Sequence, residues 1–131
     1  MPKKQPNHKP TVLSVGAHPE LLSLRAAVLS NAGYAVFTTT DPHEADSRIK
    51  KGDCAVLLLC YSIAQDWRNQ MAENFRKHRP DSRIVGITNE PESDNPTDTD
   101  ALVFGIEGAE ALLAAIEQAI QQSSGSGVSS L

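Results

Sequence analysis

Net charge, cysteine and long apolar runs are all scarce in this chain of 131 residues, and each scarcity excludes something. The formal net charge is -4, which offers no general electrostatic attraction to nucleic acid. No apolar stretch approaches the ~20 residues that span a bilayer. The opening decapeptide, Met1 to Pro10, is basic but is not followed by an apolar segment of signal-peptide type. A cytoplasmic protein without nucleic-acid or membrane contacts is the expectation. The only cysteines are Cys54 and Cys60. Six residues along one strand would hold them ~20 Å apart, beyond the reach of a disulfide, and two such residues make no metal motif. Both read as small buried hydrophobes. No GxGxxG or P-loop pattern occurs.

What is present is alternation. Cys54-Ala55-Val56-Leu57-Leu58-Leu59-Cys60 is the longest apolar run, and its length suits a strand buried on both faces of a parallel sheet. Before it, Thr11–Val15 and Tyr34–Thr39 read as strands. Pro19 and Glu20 open a helix whose apolar residues are Leu21, Leu24, Val28 and Ala32, with Leu22 and Leu29 beside them. Gly33 is its expected left-handed cap. Asp41, Pro42 and Glu44 mark a second helix start of capping-box type; that helix runs to about residue 51 with a thin apolar face of Ala45 and Ile49.

After the buried run, Ser62-Ile63-Ala64-Gln65 reads as a capping box opening a third helix, with Trp67, Met71 and Phe75 inward and a basic last turn through Arg79 before Pro80. Arg83–Ile87 is a fourth strand ending at Thr88. Asn89 to Asp100 reads as a polar loop, Ala101–Phe104 as a short fifth strand, and Glu110 to about Gln121 as a last helix with Leu112, Leu113, Ile116, Ala119 and Ile120 on its core face. Residues 1–10 and 122–131 are expected to be flexible tails around one domain spanning 11–121.

Five alternations imply right-handed crossovers and a parallel sheet covered on both faces. The expected fold is α/β, flavodoxin-like, a three-layer sandwich with strand order 2-1-3-4-5. In such sheets ligands sit beyond the carboxyl ends of the strands, between the first and the third. Gly16, Ala17, His18, Cys60, Thr88 and Gly105 frame that spot.

On these residues the chain resembles the receiver domains of two-component response regulators over about residues 11–121. Val12 to Pro19 falls on the family's first strand and acidic loop, Gly33-Tyr34-Ala35-Val36 on its helix-to-strand turn, Val56 to Cys60 on its phosphoacceptor strand, and Ile87-Thr88 on its fourth strand with the switch hydroxyl. The resemblance implies a role in signal transduction. It also implies positions for chemistry that this chain has replaced. Gly16 and Ala17, followed by His18, stand where the Mg²⁺-binding acids belong; Cys60 replaces the phosphoacceptor aspartate; Gly105 replaces the lysine; Leu102 falls at the switch aromatic. Thr88 alone is retained. Gly105 follows Thr88 by 17 positions, fewer than receivers usually have, at the expense of the helix that commonly builds their dimer face.

Mg²⁺ seeks carboxylate oxygens, and nothing at these positions neutralises a transferring phosphoryl group. The neighbouring Asp53 and Asp66 do not occupy the strand end. The expected protein is therefore a stand-alone, atypical receiver-like module that binds protein partners in a signalling pathway independently of phosphorylation, with no cofactor, no Mg²⁺ and no enzymatic activity. Two alternatives stand beside it. One is a small cysteine-dependent enzyme or redox sensor using Cys60 with His18. The other is a small-molecule-binding flavodoxin-like domain, against which Gly16 to Glu20 lacks the Gly, Ser and Thr of a phosphate loop.

Overall fold

A computed structural model describes residues 10–78, 83–88, 101–104 and 108–125, with 101–104 and 122–125 described by their backbone. Five strands and four helices follow one another among the described residues: β1 (Thr11–Val15), α1 (Pro19–Asn31), β2 (Ala35–Thr39), α2 (Pro42–Lys51), β3 (Val56–Cys60), α3 (Gln65–His78), β4 (Arg83–Thr88), β5 (Ala101–Phe104) and α4 (Gly108–Gly125). All strand pairs are parallel and the order is β2-β1-β3-β4-β5, as the sequence predicts. The segment Asn89 to Asp100 and Gly105 lie outside the described residues.

The centre of the molecule is β3, every residue of which is buried. Its side chains alternate between two cores. Leu57 and Leu59 join Leu13, Val15, Ile84 and the α2 and α3 residues Ala45, Ile49, Met71, Ala72 and Phe75. Val56 and Leu58 join Val12, Val85, Ile87 and the α1 and α4 residues Leu29, Leu112, Ile116 and Ala119. A run apolar at every position, rather than at alternate ones, is what a strand covered on both faces requires. Each fully buried leucine in it is worth about 1.5–3 kcal/mol relative to exposure.

Several local expectations need correction. The inward residues of α1 are Leu22 and Leu29, whereas Leu21 and Leu24 are 40% and 58% exposed. Eight of the thirteen α1 residues are apolar (counting Pro19) and they spread around the axis, so spacing alone does not select a face. β3 begins at Val56, two residues after Cys54, and β2 begins at Ala35. The third helix starts at Gln65, and Ser62 lies outside it in a turn closed by Ile63 N–H donating to the Cys60 carbonyl at 3.1 Å. α4 begins at Gly108 and runs to Gly125, beyond both expected ends. Gly33, at φ 100°, holds the left-handed position expected of it after α1.

Candidate functional site

The strand ends that flank the switch between β1 and β3 carry Gly16 and Cys60. Gly16 N–H donates to the Thr39 carbonyl at 3.3 Å, extending the β1–β2 pairing by one residue. Tyr61 N–H donates to the Ile87 carbonyl at 2.7 Å and does the same for β3 and β4. A β-carbon placed on Gly16 would lie 3.0 Å from Cys60 Cβ, 3.6 Å from its Sγ and 3.4 Å from Leu22 Cδ2. The first of the expected acidic-loop positions is thus tightly packed against its neighbours.

Ser62 completes the site. The turn Cys60-Tyr61-Ser62-Ile63 brings its hydroxyl back over the strand end, where it accepts from Ala17 N–H at 2.9 Å and donates to Cys60 Sγ at 3.2 Å. One hydroxyl therefore ties the loop after β1 to the end of β3. Burial pushes the Cys60 thiol upward, but the Ser62 hydroxyl, the Ser62 backbone and the Arg25 guanidinium favour the thiolate and leave it below its ordinary pKa. Arg25 stands on α1 three residues after the inward Leu22, so it comes off the helix on the side that faces the sheet. Cys60 remains only 7% exposed.

Thr88 is buried at the end of β4, one position past Ile87, the register partner of Cys60. His18 is the N-cap residue of α1. It is exposed, its side chain makes no capping bond, and the groups that act on the Cys60 thiol are Ser62 and Arg25 rather than His18. The His18–Cys60 pairing considered from sequence does not form. Both cysteines are buried, and neither forms a disulfide among the described residues. Ser62 and Arg25 are the site residues that sequence reasoning missed. Their signals were a hydroxyl two residues past the strand end and a cation at i+3 from a core leucine.

The side-chain donors at these strand ends are a thiol and a hydroxyl, and Gly16 and Ala17 bring no side-chain oxygen, a poor match for a hard cation that binds through carboxylates. Among the described residues no three His, Cys, Asp or Glu side chains are grouped to hold a metal, and no helix is long and apolar enough to cross a membrane.

A doubly wound α/β protein with its distinctive groups at the β1/β3 switch point is the class that this geometry defines. No protein-family model matches the sequence, and no curated protein matches it. Solved structures do match. A CheY-like response regulator receiver domain protein from Methanospirillum hungatei superposes with a TM-score of 0.77 at 18% identity, over 88% of this chain and 96% of that one. The N-terminal domain of a response regulator/sensory box/GGDEF protein from Carboxydothermus hydrogenoformans gives 0.78 at 15% identity, over 88% and 98%. Vibrio cholerae chemotaxis protein CheY4 gives 0.71 at 17% identity, over 84% and 98%. The chain has the fold of response-regulator receiver domains.

Proposed function

We propose that this chain is an atypical receiver-like domain that acts in signal transduction by binding protein partners, without phosphorylation and without catalysis of its own. The receiver fold supports the signalling role. The packing of Gly16 against Cys60 is the observation that carries the rest. In this reading a buried thiol stands in place of the acceptor carboxylate, and the first cation-ligand position has no carboxylate and is tightly packed, a β-carbon there falling 3.0 Å from Cys60 Cβ. Phosphoryl transfer in such a fold depends on a metal and a cation to neutralise developing charge. Arg25 supplies one positive group near the strand end, but it faces a thiol. We further propose that the domain takes up neither Mg²⁺ nor a phosphoryl group at this site, and that its setting is the cytoplasm.

Intact-mass spectrometry after incubation with acetyl phosphate and Mg²⁺, beside an ordinary receiver domain, tests this reading. The expected spectrum is that of the unmodified chain. A stoichiometric phosphoryl adduct overturns it.

The lowered Cys60 thiol favours a second reading, thiol chemistry at the strand end. That reading requires Cys60 to react with an alkylating reagent far faster than Cys54 in the folded protein. Equal, slow labelling removes its support.

A further inference from the structure

α2 and α3 each join two parallel strands of one sheet, so both run opposite to the strands and end where the strands begin. They lie side by side on one face. Asn74 Nδ2 of α3 donates to Asp46 Oδ1 of α2 at 2.9 Å and sets their relative height. From that bond each helix continues for about one turn, at ~1.5 Å per residue. Lys50 and Lys51 follow Asp46 by four and five residues, and Lys77 and His78 follow Asn74 by three and four. Lys50, Lys51 and Lys77 therefore leave the two helices at about the same level, while the His78 ring turns back onto the Asn74 carbonyl at 2.9 Å.

The last turn of α2 carries Arg48, Lys50 and Lys51, and that of α3 carries Arg76, Lys77 and His78. A cation near a helix C-terminus is favoured by the helix dipole wherever it occurs. That cause acts equally on α1 and α4, whose last turns have no basic residue. The dipole accounts for cations at helix ends but not for their confinement to the two helices that share a face. Internal pairing absorbs only part of the charge. Arg48 Nη1 meets Asp53 Oδ2 at 3.0 Å, and Lys50 Nζ meets Asp46 Oδ2 at 3.6 Å while its side chain stays 62% exposed. Lys51 and Lys77 are exposed and engage no carboxylate among the described residues.

We propose that the paired C-terminal ends of α2 and α3 form a docking surface for an acidic segment of a partner protein. This rests on the interaction-module reading and supplies the surface and the chemistry of the partner. Charge complementarity selects the occupant. Nucleic acid fits poorly: two adjacent helix ends about 8–10 Å apart meet too few phosphates for counterion release to drive tight binding. A short run of carboxylate side chains needs no more than this width.

Fluorescence anisotropy of a labelled deca-glutamate peptide, titrated with the full chain at low salt, tests the proposal. Saturable binding is expected, weakening as added salt screens it. The Lys51→Glu/Lys77→Glu double variant is expected to bind about tenfold more weakly, and Glu20→Gln, at the opposite end of the molecule, to bind as the parent does. Both lysines are exposed, and a thermal melt verifies that the double variant folds; Lys51→Gln/Lys77→Gln serves if it does not. Absence of peptide binding, unchanged affinity in the lysine variants, or displacement of the peptide by duplex DNA of equal charge overturns the proposal. Phosphoryl uptake in the acetyl phosphate experiment is read separately and bears only on the preceding proposal.

Discussion

Gly16 and Cys60 stand so close across the ends of β1 and β3 that a β-carbon on Gly16 would fall 3.0 Å from Cys60 Cβ. Real β-carbons rarely come so near another atom, and the obstructing Cys60 Cβ is fixed to the β3 backbone, so relief needs a backbone shift of a few tenths of an ångström. Gly16→Ala is expected to destabilise the protein by about 1–3 kcal/mol, the usual range for overpacking a filled core. The obstructing atom is Cβ rather than Sγ. A double-mutant cycle in urea is therefore expected to find the same cost in a Cys60→Ala background and a smaller one in Cys60→Gly. Equal costs in all three backgrounds would remove the contact as the cause.

The thiol of Cys60 gives stability a dependence on pH. Its folded-state pKa lies below the ordinary value of 9.0, with burial acting upward and the Ser62 and Arg25 contacts prevailing. A group depressed in the folded state contributes stability that is complete above the unfolded pKa and is lost as pH falls through the folded one. The parent protein should gain stability over Cys60→Ser as pH rises through the folded pKa toward 9.0. In Ser62→Ala the thiol loses its hydroxyl donor and Ala17 N–H loses its acceptor. Its alkylation profile should shift to higher pH, with about 0.5–1.5 kcal/mol of stability lost. A flat stability difference across that pH range would mean that the thiolate is not favoured by folding.

Strand order and the burial of β3 were legible because one physical demand wrote them. A strand covered on both faces must be apolar at every position, and Val56 to Cys60 is. Helix starts were legible where a proline and an acid stand side by side, as at Asp41-Pro42 and Pro19-Glu20. Ser62 was misread for a definite reason. A serine three residues before a glutamine satisfies the capping pattern, yet the same hydroxyl finds better partners in Ala17 N–H and Cys60 Sγ, which only the tertiary fold brings near. Arg25 was passed over because cations on helices usually face solvent. The positions of Gly16, Ala17 and Cys60 followed from the topology once the strands were placed, since a parallel sheet brings the ends of β1 and β3 together.

The face of α1 is open to a direct test. Leu22 is 4% exposed and Leu24 is 58% exposed, though the sequence gives them equal standing. Leu22→Ala should cost about 2–5 kcal/mol through lost burial and the cavity left behind. Leu24→Ala should change stability by no more than about 0.5 kcal/mol. Chemical denaturation of the two variants decides between this arrangement and a helix rotated to bury Leu21 and Leu24.

At the start of α2 the capping pattern is rewired through Thr39. Asp41 Oδ1 accepts from His43 N–H at 3.0 Å, as a cap should. Glu44 does not reach back to Asp41 N–H. That amide donates to Thr39 Oγ1 at 3.0 Å, and the Thr39 hydroxyl donates onward to Glu44 Oε1 at 2.6 Å. Thr39 is 8% exposed at the end of β2, so the relay joins the edge strand to the helix that follows it. Thr39→Val keeps the shape but removes both the acceptor of the Asp41 amide and the donor to Glu44, at an expected cost of about 1–2 kcal/mol. Glu44→Ala removes only the terminal acceptor and should cost less. Because the three groups act in series, the two effects should be coupled by about 0.5 kcal/mol or more in a double-mutant cycle. A reciprocal box between Asp41 and Glu44 alone predicts the opposite ranking, with Thr39→Val nearly silent, and urea denaturation of the three variants separates the two.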